Sequence, residues 1–367
     1  MQTATSRLPG LDLIRAIAIL LVIYQHGLFM LYDFLPENFA NIMFALCGYF
    51  GVELFFVLSG FLVGSIFIRR YMEKERYGSA QVMSFWARRW FRTLPNYYLT
   101  LAVLLLIAWK NDAFPDSVVV IQCFLFAQNL FTYNSFFFAH AWSLAVEEWF
   151  YLSLPIFVII AHRKYVSKMT TIAIVIVFVI IVCNLIRVVA IWRGVQWQQL
   201  SFMTIFKLDS IMCGVGIALL SVRAPDLTEK LKTLCLMIGM FVFLIVVFVY
   251  LRHILVAKPQ NHYGALILSL TPVSFALALP YFKSLHRPMI GPLHTIIEYI
   301  SKISYSWYLN HLPIALWIGQ GLHPTSFWEG LLAFSIYFVT TLILSSIQYR
   351  YWERPFLKFR DRVIVER

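Results

Sequence analysis

The stretch MTTIAIVIVFVIIVCNLIRVVAIW, residues 169–192, decides the fold class of this chain. It is apolar over nearly its whole length, and about 20 such residues are enough to cross the hydrocarbon core of a bilayer as a helix. Similar runs recur along the 367 residues, which are 60% hydrophobic and only 13% charged. Such a chain has too little polar surface to cover a water-facing globule. The sequence therefore predicts an all-α integral membrane protein, with residues 1–367 forming one polytopic domain.

Ten segments are predicted to cross the membrane as helices. They are residues 11–31, 51–68, 95–110, 141–161, 169–192, 203–222, 233–251, 265–282, 303–322 and 328–348. A further apolar run at 118–131 is short, and loop charge helps to place it. If it does not cross, 23 Lys and Arg lie in cytoplasmic segments and 4 outside, whereas crossing changes these numbers to 11 and 16. Because Lys and Arg collect on the cytoplasmic side, we expect residues 118–131 to be re-entrant or packed under the outer surface, shielded by protein, and both termini to be cytoplasmic.

The net charge and the cysteines exclude several other classes of protein. The net charge of +12 arises from Lys and Arg between the apolar runs, which is typical of cytoplasmic loops, so no nucleic-acid partner is expected. The five cysteines include no CxxC pair, so neither a disulfide framework nor a zinc site is predicted. The N-terminal apolar stretch contains Asp12 and Arg15 and lacks a small-residue cleavage site, so it is not a signal peptide.

Ionisable residues within the spans are candidates for function because they are costly in a bilayer. Arg15 and His26 lie eleven residues apart in GLDLIRAIAILLVIYQHG, residues 10–27. On a helix this spacing places them on one face, separated by about 16 Å of rise. It suits a ligand with an anionic end and a reactive end within the membrane, such as the pantetheine arm of CoA. Alternatively, Arg15 pairs with Asp12 as a headgroup anchor and His26 only packs in the bundle.

The fourth span contains adjacent carboxylates in HAWSLAVEEWFYLSLP, residues 140–155. Neighbouring residues point in different directions on a helix, so only Glu147 or Glu148 can fully face a partner in the first span. That carboxylate could orient a histidine, stabilise its charged form or bind an acceptor hydroxyl. The alternative is a structural hydrogen bond to another span. Nearby candidates for lining the same cavity are Trp142, Ser143 and Tyr151.

Three arginines lie at the predicted cytoplasmic mouth of the third span: Arg88, Arg89 and Arg92. Guanidinium groups bind phosphates through paired hydrogen bonds, but anionic lipid headgroups attract the same residues. Other candidates are Asp209, Glu53 and His311. Asp209 could pair with Lys207 or line a cavity, and a packing role for His311 is as plausible as a catalytic one. Serines in apolar helices, such as Ser59, usually bond to their own backbone.

Taken together, these segments strongly resemble the acyltransferase 3 family of membrane proteins. GLDLIRAIAILLVIYQH resembles the first-span signature of the family. The other segments that match in order are FGVELFFVLSGFLVG (50–64), RRWFRTLP (88–95), AWSLAVEEWFYL (141–152), ISYSWYLNH (303–311) and the ERP of Glu353–Pro355. The joint order of the motifs is more specific than any one of them, and it covers essentially the whole chain.

The resemblance implies an enzyme of the bacterial cytoplasmic membrane. Its donor, usually acetyl-CoA, enters from the cytoplasm and is not permanently bound. Its acceptor is typically a sugar hydroxyl of a lipopolysaccharide, exopolysaccharide or peptidoglycan precursor, including lipid-linked forms. By resemblance, the essential histidine of the family falls on His26, its basic partner on Arg15 and its span-four glutamate on Glu147. The RxxR motif of the family falls on Arg89 and Arg92.

These roles combine into one hypothesis, in which the arginines hold the CoA phosphates. His26, with an ordinary pKa of about 6.5, acts as general base on the acceptor hydroxyl or transiently carries the acyl group. Glu147 orients the histidine or stabilises its charge. The rival hypothesis is a proton-coupled transporter of a lipid-linked sugar or small anion, with His26 and Glu147 as a proton relay. No inverted repeat or pair of broken helices is visible to support a transporter.

The chain departs from the family pattern in two places. Trp149 stands where many relatives carry glutamine, which predicts an altered acceptor pocket. The sequence ends soon after the last span, without the extracytoplasmic hydrolase-like domain of longer relatives. We therefore expect transfer to finish within the membrane domain, or the product to pass to another protein. Neither the acceptor nor the oligomeric state can be assigned from the sequence.

Overall fold

The computed structural model describes residues 8–73, 78–131, 137–162, 166–255, 261–285 and 291–364. Within these ranges the regular elements are all helical, which confirms the predicted all-α fold. The helices are α1 Pro9–Gly27, α2 Glu37–Glu73, α3 Ser79–Lys110, α4 Ser117–Phe124, α5 Trp142–Ala161, α6 Lys168–Trp192, α7 Trp197–Phe202, α8 Leu208–Arg223, α9 Pro225–Leu255, α10 Asn261–Lys283, α11 Pro292–Gly321, α12 Phe327–Gln348 and α13 Arg354–Val363.

Eight helices in the described part of the chain are long and apolar enough to cross a membrane. Two of the predicted spans fall instead on α8 and α11. The α8 helix has only 16 residues, and α11 carries Glu298, Lys302 and His311. Both helices pack between others, α8 against α2 and α6 and α11 against α1 and α12. His311 is therefore buried in protein, and Glu298 and Lys302, which are about one-third exposed, neutralise each other in an ion pair, so these residues are tolerable near the membrane.

The apolar run at 118–131 does not form a crossing helix. The α4 helix has eight residues, so it is about 12 Å long, far below the roughly 30 Å of a hydrocarbon core. The chain then turns at Phe126, whose φ is 55°. The Asn129 amide donates to the carbonyls of Trp142 and Phe202 at 3.0 and 2.7 Å. These contacts tie the segment to α5 and α7, but Val118, Ile121 and Leu125 are 61%, 56% and 64% exposed, so the protein does not shield the segment as predicted.

The α2 and α8 helices approach each other closely through glycines. A Cβ on Gly60 of α2 would collide with the carbonyl oxygen of Ile211, and one on Gly214 of α8 would collide with that of Val57. Small residues at such contacts let membrane helices pack backbone to backbone. Because α8 covers this face of α2, a different face of α2 is left to line the cavity described below.

The α1 and α11 helices lie side by side and define two ends of the molecule. Near the start of both helices, the Ser301 hydroxyl donates to the Asp12 carboxylate at 2.6 Å. Further along both helices, His26 Nδ1 lies 3.2 Å from His311 Nε2. We call the first of these the arginine end, because Arg15 also lies there, and the second the histidine end.

Candidate active site

A cavity of about 740 Å³ lies between α1, α2, α3, α5, α8, α10 and α11. This volume is typical of a small-molecule site. The predicted site residues in its wall are Arg15, Arg89, Arg92, Ser143, Glu147 and Tyr151. Two further cations that sequence patterns did not single out, Arg69 and Lys283, also line it. The cavity therefore gathers five cationic side chains from four helices.

Glu147, rather than Glu148, faces this cavity. Its carboxylate accepts a hydrogen bond from the Tyr151 hydroxyl at 2.9 Å, and the Tyr151 oxygen lies 2.5 Å from Ser59 Oγ. Glu148 is buried outside the cavity wall, where it accepts from the Thr93 hydroxyl at 2.6 Å. The two carboxylates thus have separate environments, as expected for adjacent positions on a helix.

Arg89 and Arg92 reach the cavity from α3, while Arg88 does not. The Arg89 guanidinium lies over the Tyr151 ring, 5.8 Å from its centroid. Neither Arg89 nor Arg92 makes a hydrogen bond or ion pair with another residue among those described, so both are available to an anionic ligand. Arg88 points elsewhere and donates to the carbonyl of Ile364 at 3.0 Å. Its position ties α3 to the C-terminal segment and does not support the predicted role in donor binding.

Arg15 both pairs with Asp12 and faces the cavity, the two positions between which the sequence could not decide. Its guanidinium pairs with the Asp12 carboxylate at 3.0 Å and donates to Ser301 Oγ at 2.8 Å. It also lines the cavity. The ion pair fixes the orientation of this guanidinium, so the positive charge of Arg15 has a fixed position in the cavity wall.

His26 lies outside the cavity wall, in contact with a second histidine. Its Nδ1 is 3.2 Å from His311 Nε2 and 3.1 Å from the Val22 carbonyl oxygen. His311 is fully buried, and its Nδ1 hydrogen-bonds to the carbonyl of Tyr308. His26 is only half-buried, which leaves part of its ring accessible.

These contacts assign the proton positions of the neutral imidazole pair. The Tyr308 carbonyl can only accept, so His311 donates from Nδ1 and its Nε2 carries a lone pair. His26 Nδ1 then faces two acceptors, that nitrogen and the Val22 carbonyl, and must carry the hydrogen. The lone pair of His26 is therefore on Nε2, the nitrogen that is available for acid–base or nucleophilic chemistry.

A third histidine, His140, completes a cluster at the histidine end. Its ring centroid lies 5.2 Å from that of His311, and its Nε2 is 2.9 Å from the Leu309 carbonyl oxygen. Sequence reasoning missed it because it precedes α5 in a short turn, and its one signal was its place at the head of the 140–155 stretch. Among the described residues, no group of His, Cys, Asp and Glu is arranged to hold a metal ion.

Tyr308 and Ser143 connect the cavity to the histidine cluster, because both line the cavity wall. The Tyr308 hydroxyl donates to the His140 carbonyl at 2.8 Å, so the Ser143 hydroxyl, 2.6 Å away, donates to Tyr308. The ring of Tyr308 also packs against that of His311, with 5.3 Å between centroids. These two side chains stand between the cavity and the imidazoles.

The structure does not bring Glu147 next to His26, contrary to the predicted orienting role. Glu147 lies four residues beyond Ser143 on α5, about 6 Å further toward the arginine end. Its neighbours are Tyr151, Ser59 and the two α3 arginines. The polar side chain that contacts His26 is instead His311, a second imidazole.

Several other candidates lie outside the cavity wall. Trp142 packs edge-on against Phe56 and Phe202, with centroids 5.8 and 5.0 Å apart. Trp149, the departure from the family pattern, donates to the carbonyl of Phe126 at 2.9 Å. It thus holds the re-entrant segment rather than shaping this cavity.

Glu53 and Asp209 are also absent from the cavity wall, because each is used in a buried ion pair. Glu53 pairs with Lys207, and the two side chains are 2% and 1% exposed. Asp209 pairs with Arg187 rather than Lys207, through contacts of 2.9 Å to both carboxylate oxygens. Both contacts come from one guanidinium nitrogen, while the other donates to Asn184 and Ser269, so Arg187 joins the carboxylate to further polar groups.

Comparison with known proteins agrees with the family that the motifs predict. The family model described as "Acyltransferase domain" matches residues 8–350. The chain is similar to proteins named O-acetyltransferase OatA from Staphylococcus aureus strains NCTC 8325 / PS 47 and COL, each 25% identical over 375 residues and covering 96% of this chain. The chain spans 57% of the length of these relatives. No solved structure matches it. Since the family model covers most of the sequence, the chain belongs to this acyltransferase family.

Proposed function

We propose that this chain is a membrane O-acetyltransferase of the bacterial cytoplasmic membrane. It takes an acetyl or other short acyl group from acyl-CoA at the arginine end and transfers it to a carbohydrate hydroxyl at the histidine end. The observation that carries this proposal is a single cavity that has available guanidinium groups in its wall and ends against the histidine cluster. The printed name of the relatives, O-acetyltransferase, supports the same reaction class.

The donor is held by the cations of the cavity. Arg89 and Arg92 bind the CoA diphosphate, because paired guanidinium groups match phosphate oxygens. Arg15 adds a fixed positive charge beside the same space. The pantetheine arm then extends past Glu147 toward Tyr308, and the thioester reaches the imidazoles when the side chains of Ser143 and Tyr308, which separate the cavity from them, move aside.

The acyl transfer uses His26 Nε2 as a general base. This nitrogen removes the proton of the acceptor hydroxyl while the hydroxyl oxygen attacks the thioester carbonyl. The carbon–sulfur bond breaks, and the departing thiolate takes the proton from His26. His311 Nε2 accepts a hydrogen bond from His26 Nδ1, so it orients the ring and stabilises the transient positive charge. In the covalent alternative the same His26 nitrogen first carries the acyl group.

Donor binding is the direct test. Purified protein should bind acetyl-CoA, and the Arg89→Gln/Arg92→Gln variant should weaken that affinity more than it lowers the maximal rate. The reason is that phosphate contacts are made equally in the ground and transition states, so their loss appears in KM. Equilibrium binding and initial rates measure the two effects. Arg88→Gln is the matched control, because Arg88 is adjacent but outside the cavity wall.

Two outcomes would contradict this part of the proposal. If the double variant binds acetyl-CoA like the wild type, the α3 arginines serve lipid headgroups instead. If the wild type binds no acetyl-CoA, acyl transfer itself is excluded and the transporter hypothesis returns.

We further propose that the arginine end and both termini face the cytoplasm. The excess of Lys and Arg in those segments supports this orientation. In a version lacking the native cysteines, a cysteine at Lys230 should react with an impermeant thiol reagent only in inverted vesicles. A cysteine at Asp112, at the opposite end of α3, should react only in intact cells. Labelling of position 230 in intact cells would reverse the assigned orientation.

A further inference from the structure

The cavity contains a second pair of cations that the proposed reaction does not use. Arg69, near the end of α2, and Lys283, the last residue of α10, both line it. Neither makes a hydrogen bond or ion pair with another residue in the described ranges. The nearby Glu229 attracts Lys283 but is itself paired with Lys232. Two like charges that face one cavity repel each other, so the arrangement is favourable when an anion lies between them.

This pair stands at a different depth from Arg89 and Arg92. Arg89 lies over Tyr151, whose hydroxyl contacts Ser59 of α2. Arg69 follows Ser59 by ten residues on the same continuous helix, which corresponds to about 15 Å of rise. Arg69 is also exposed, whereas Arg89 is half-buried. Arg69 and Lys283 therefore form the rim of the cavity, and a ligand that reaches both pairs must carry anionic groups at two separated positions.

Coenzyme A carries two such groups on one ribose, and because their spacing is shorter than this rise, the long side chains of Arg69 and Arg89 must reach toward each other to bind them. Its diphosphate lies between the pantetheine arm and a ribose that carries a separate 3′-phosphate. Because the thioester must reach the histidine end, the diphosphate occupies the deeper position and the nucleotide stays at the rim. We infer that Arg69 and Lys283 bind the 3′-phosphate of the donor, so that the site selects CoA thioesters over acyl carriers without this phosphate. This inference rests on the proposed function.

The test compares acetyl-CoA with acetyl-dephospho-CoA as ligands and donors. The wild type should bind the dephospho compound about 10-fold more weakly, as expected for the loss of a charge-assisted hydrogen bond at an exposed site. Arg69→Gln/Lys283→Gln should weaken acetyl-CoA by the same factor and leave the dephospho compound unchanged, so the preference disappears. Lys283→Gln alone should remove part of it.

Two control variants give opposite expectations. Arg70→Gln changes the neighbouring α2 residue, which lies outside the cavity wall, and should keep the full preference. Arg89→Gln/Arg92→Gln should weaken both donors and also keep the preference, because the rim pair is intact.

The failure of this inference is distinguishable from that of the proposed function. Equal binding of the two compounds by the wild type would overturn the 3′-phosphate assignment while transfer from acetyl-CoA continued. A preference that survives in Arg69→Gln/Lys283→Gln would also overturn it and assign the rim pair to lipid headgroups. Absence of transfer from both donors would contradict the proposed function itself.

Discussion

His26→Gln should lower acetyl transfer by at least about 100-fold, the lower end of what a positioned general base supplies. The glutamine amide can replace the hydrogen bonds of the ring, but it offers no nitrogen lone pair to take the acceptor proton. Acetyl-CoA binding should survive, because the cations that hold the donor line a cavity that His26 does not reach. Initial rates with saturating acetyl-CoA, together with equilibrium binding, measure both expectations.

The control for this variant is a replacement at the partner imidazole. His311→Gln removes the ring that accepts from His26 Nδ1 but leaves the reactive Nε2 in place, so transfer should fall less than in His26→Gln. Trapping of an acylated His26 in single-turnover experiments would select the covalent route. Near wild-type transfer by His26→Gln would show that this imidazole is structural, and His311 would become the next candidate base.

Lys207→Met should destabilise the folded protein by about 3–5 kcal/mol, because it leaves the Glu53 carboxylate buried without its partner. Both side chains are almost fully buried, and the Lys207 ammonium also lies over the rings of Tyr49 and Phe56, 5.4 and 5.9 Å from their centroids. The loss can be followed as the free energy of unfolding in detergent, or as the shift of the midpoint in a denaturant titration.

Two variants separate the charge from simple loss of packing. Lys207→Met/Glu53→Leu removes both charges and should recover most of the stability, since a buried pair replaced by apolar groups is often nearly neutral. Lys232→Met breaks the far more exposed pair with Glu229 and should cost less than about 1 kcal/mol. If Lys207→Met were as stable as the double variant, the unpaired Glu53 would not be the source of the loss.

The helices could be predicted because hydropathy is a local property of the sequence. The 118–131 run was placed by loop charge, and α4 is indeed too short to cross. The partners of ionisable side chains could not be predicted, because they depend on how each helix is rotated against its neighbours. Whether Glu147 or Glu148 faces the cavity depends on how α5 packs, and the sequence of two adjacent glutamates does not show this.

Because helix rotation could not be predicted, several side chains of the site have other partners than the sequence suggested. Asp209 was expected to pair with Lys207, two residues away, or to line a cavity, but it pairs with Arg187 of another helix. His26 was expected to meet a carboxylate, yet α11 supplies His311. His140 was missed because burial of its turn arises only from tertiary packing. The sequence thus identified six of the residues in the cavity wall and two of the three histidines at its end, while the structure added the other lining residues and assigned the neighbours.

Hydrogen bonds at two levels join α1 to α11. One is between Ser301 and Asp12 at the arginine end, and the other is between the imidazoles of His26 and His311 at the histidine end. Because α1 contacts α11 at two levels, it cannot rotate or slide along α11 without breaking one of these hydrogen bonds. The alignment of the imidazole pair therefore also depends on the Ser301–Asp12 hydrogen bond at the arginine end. If an anionic ligand displaced Arg15, the shift would be transmitted along α1 to the Nε2 lone pair of His26.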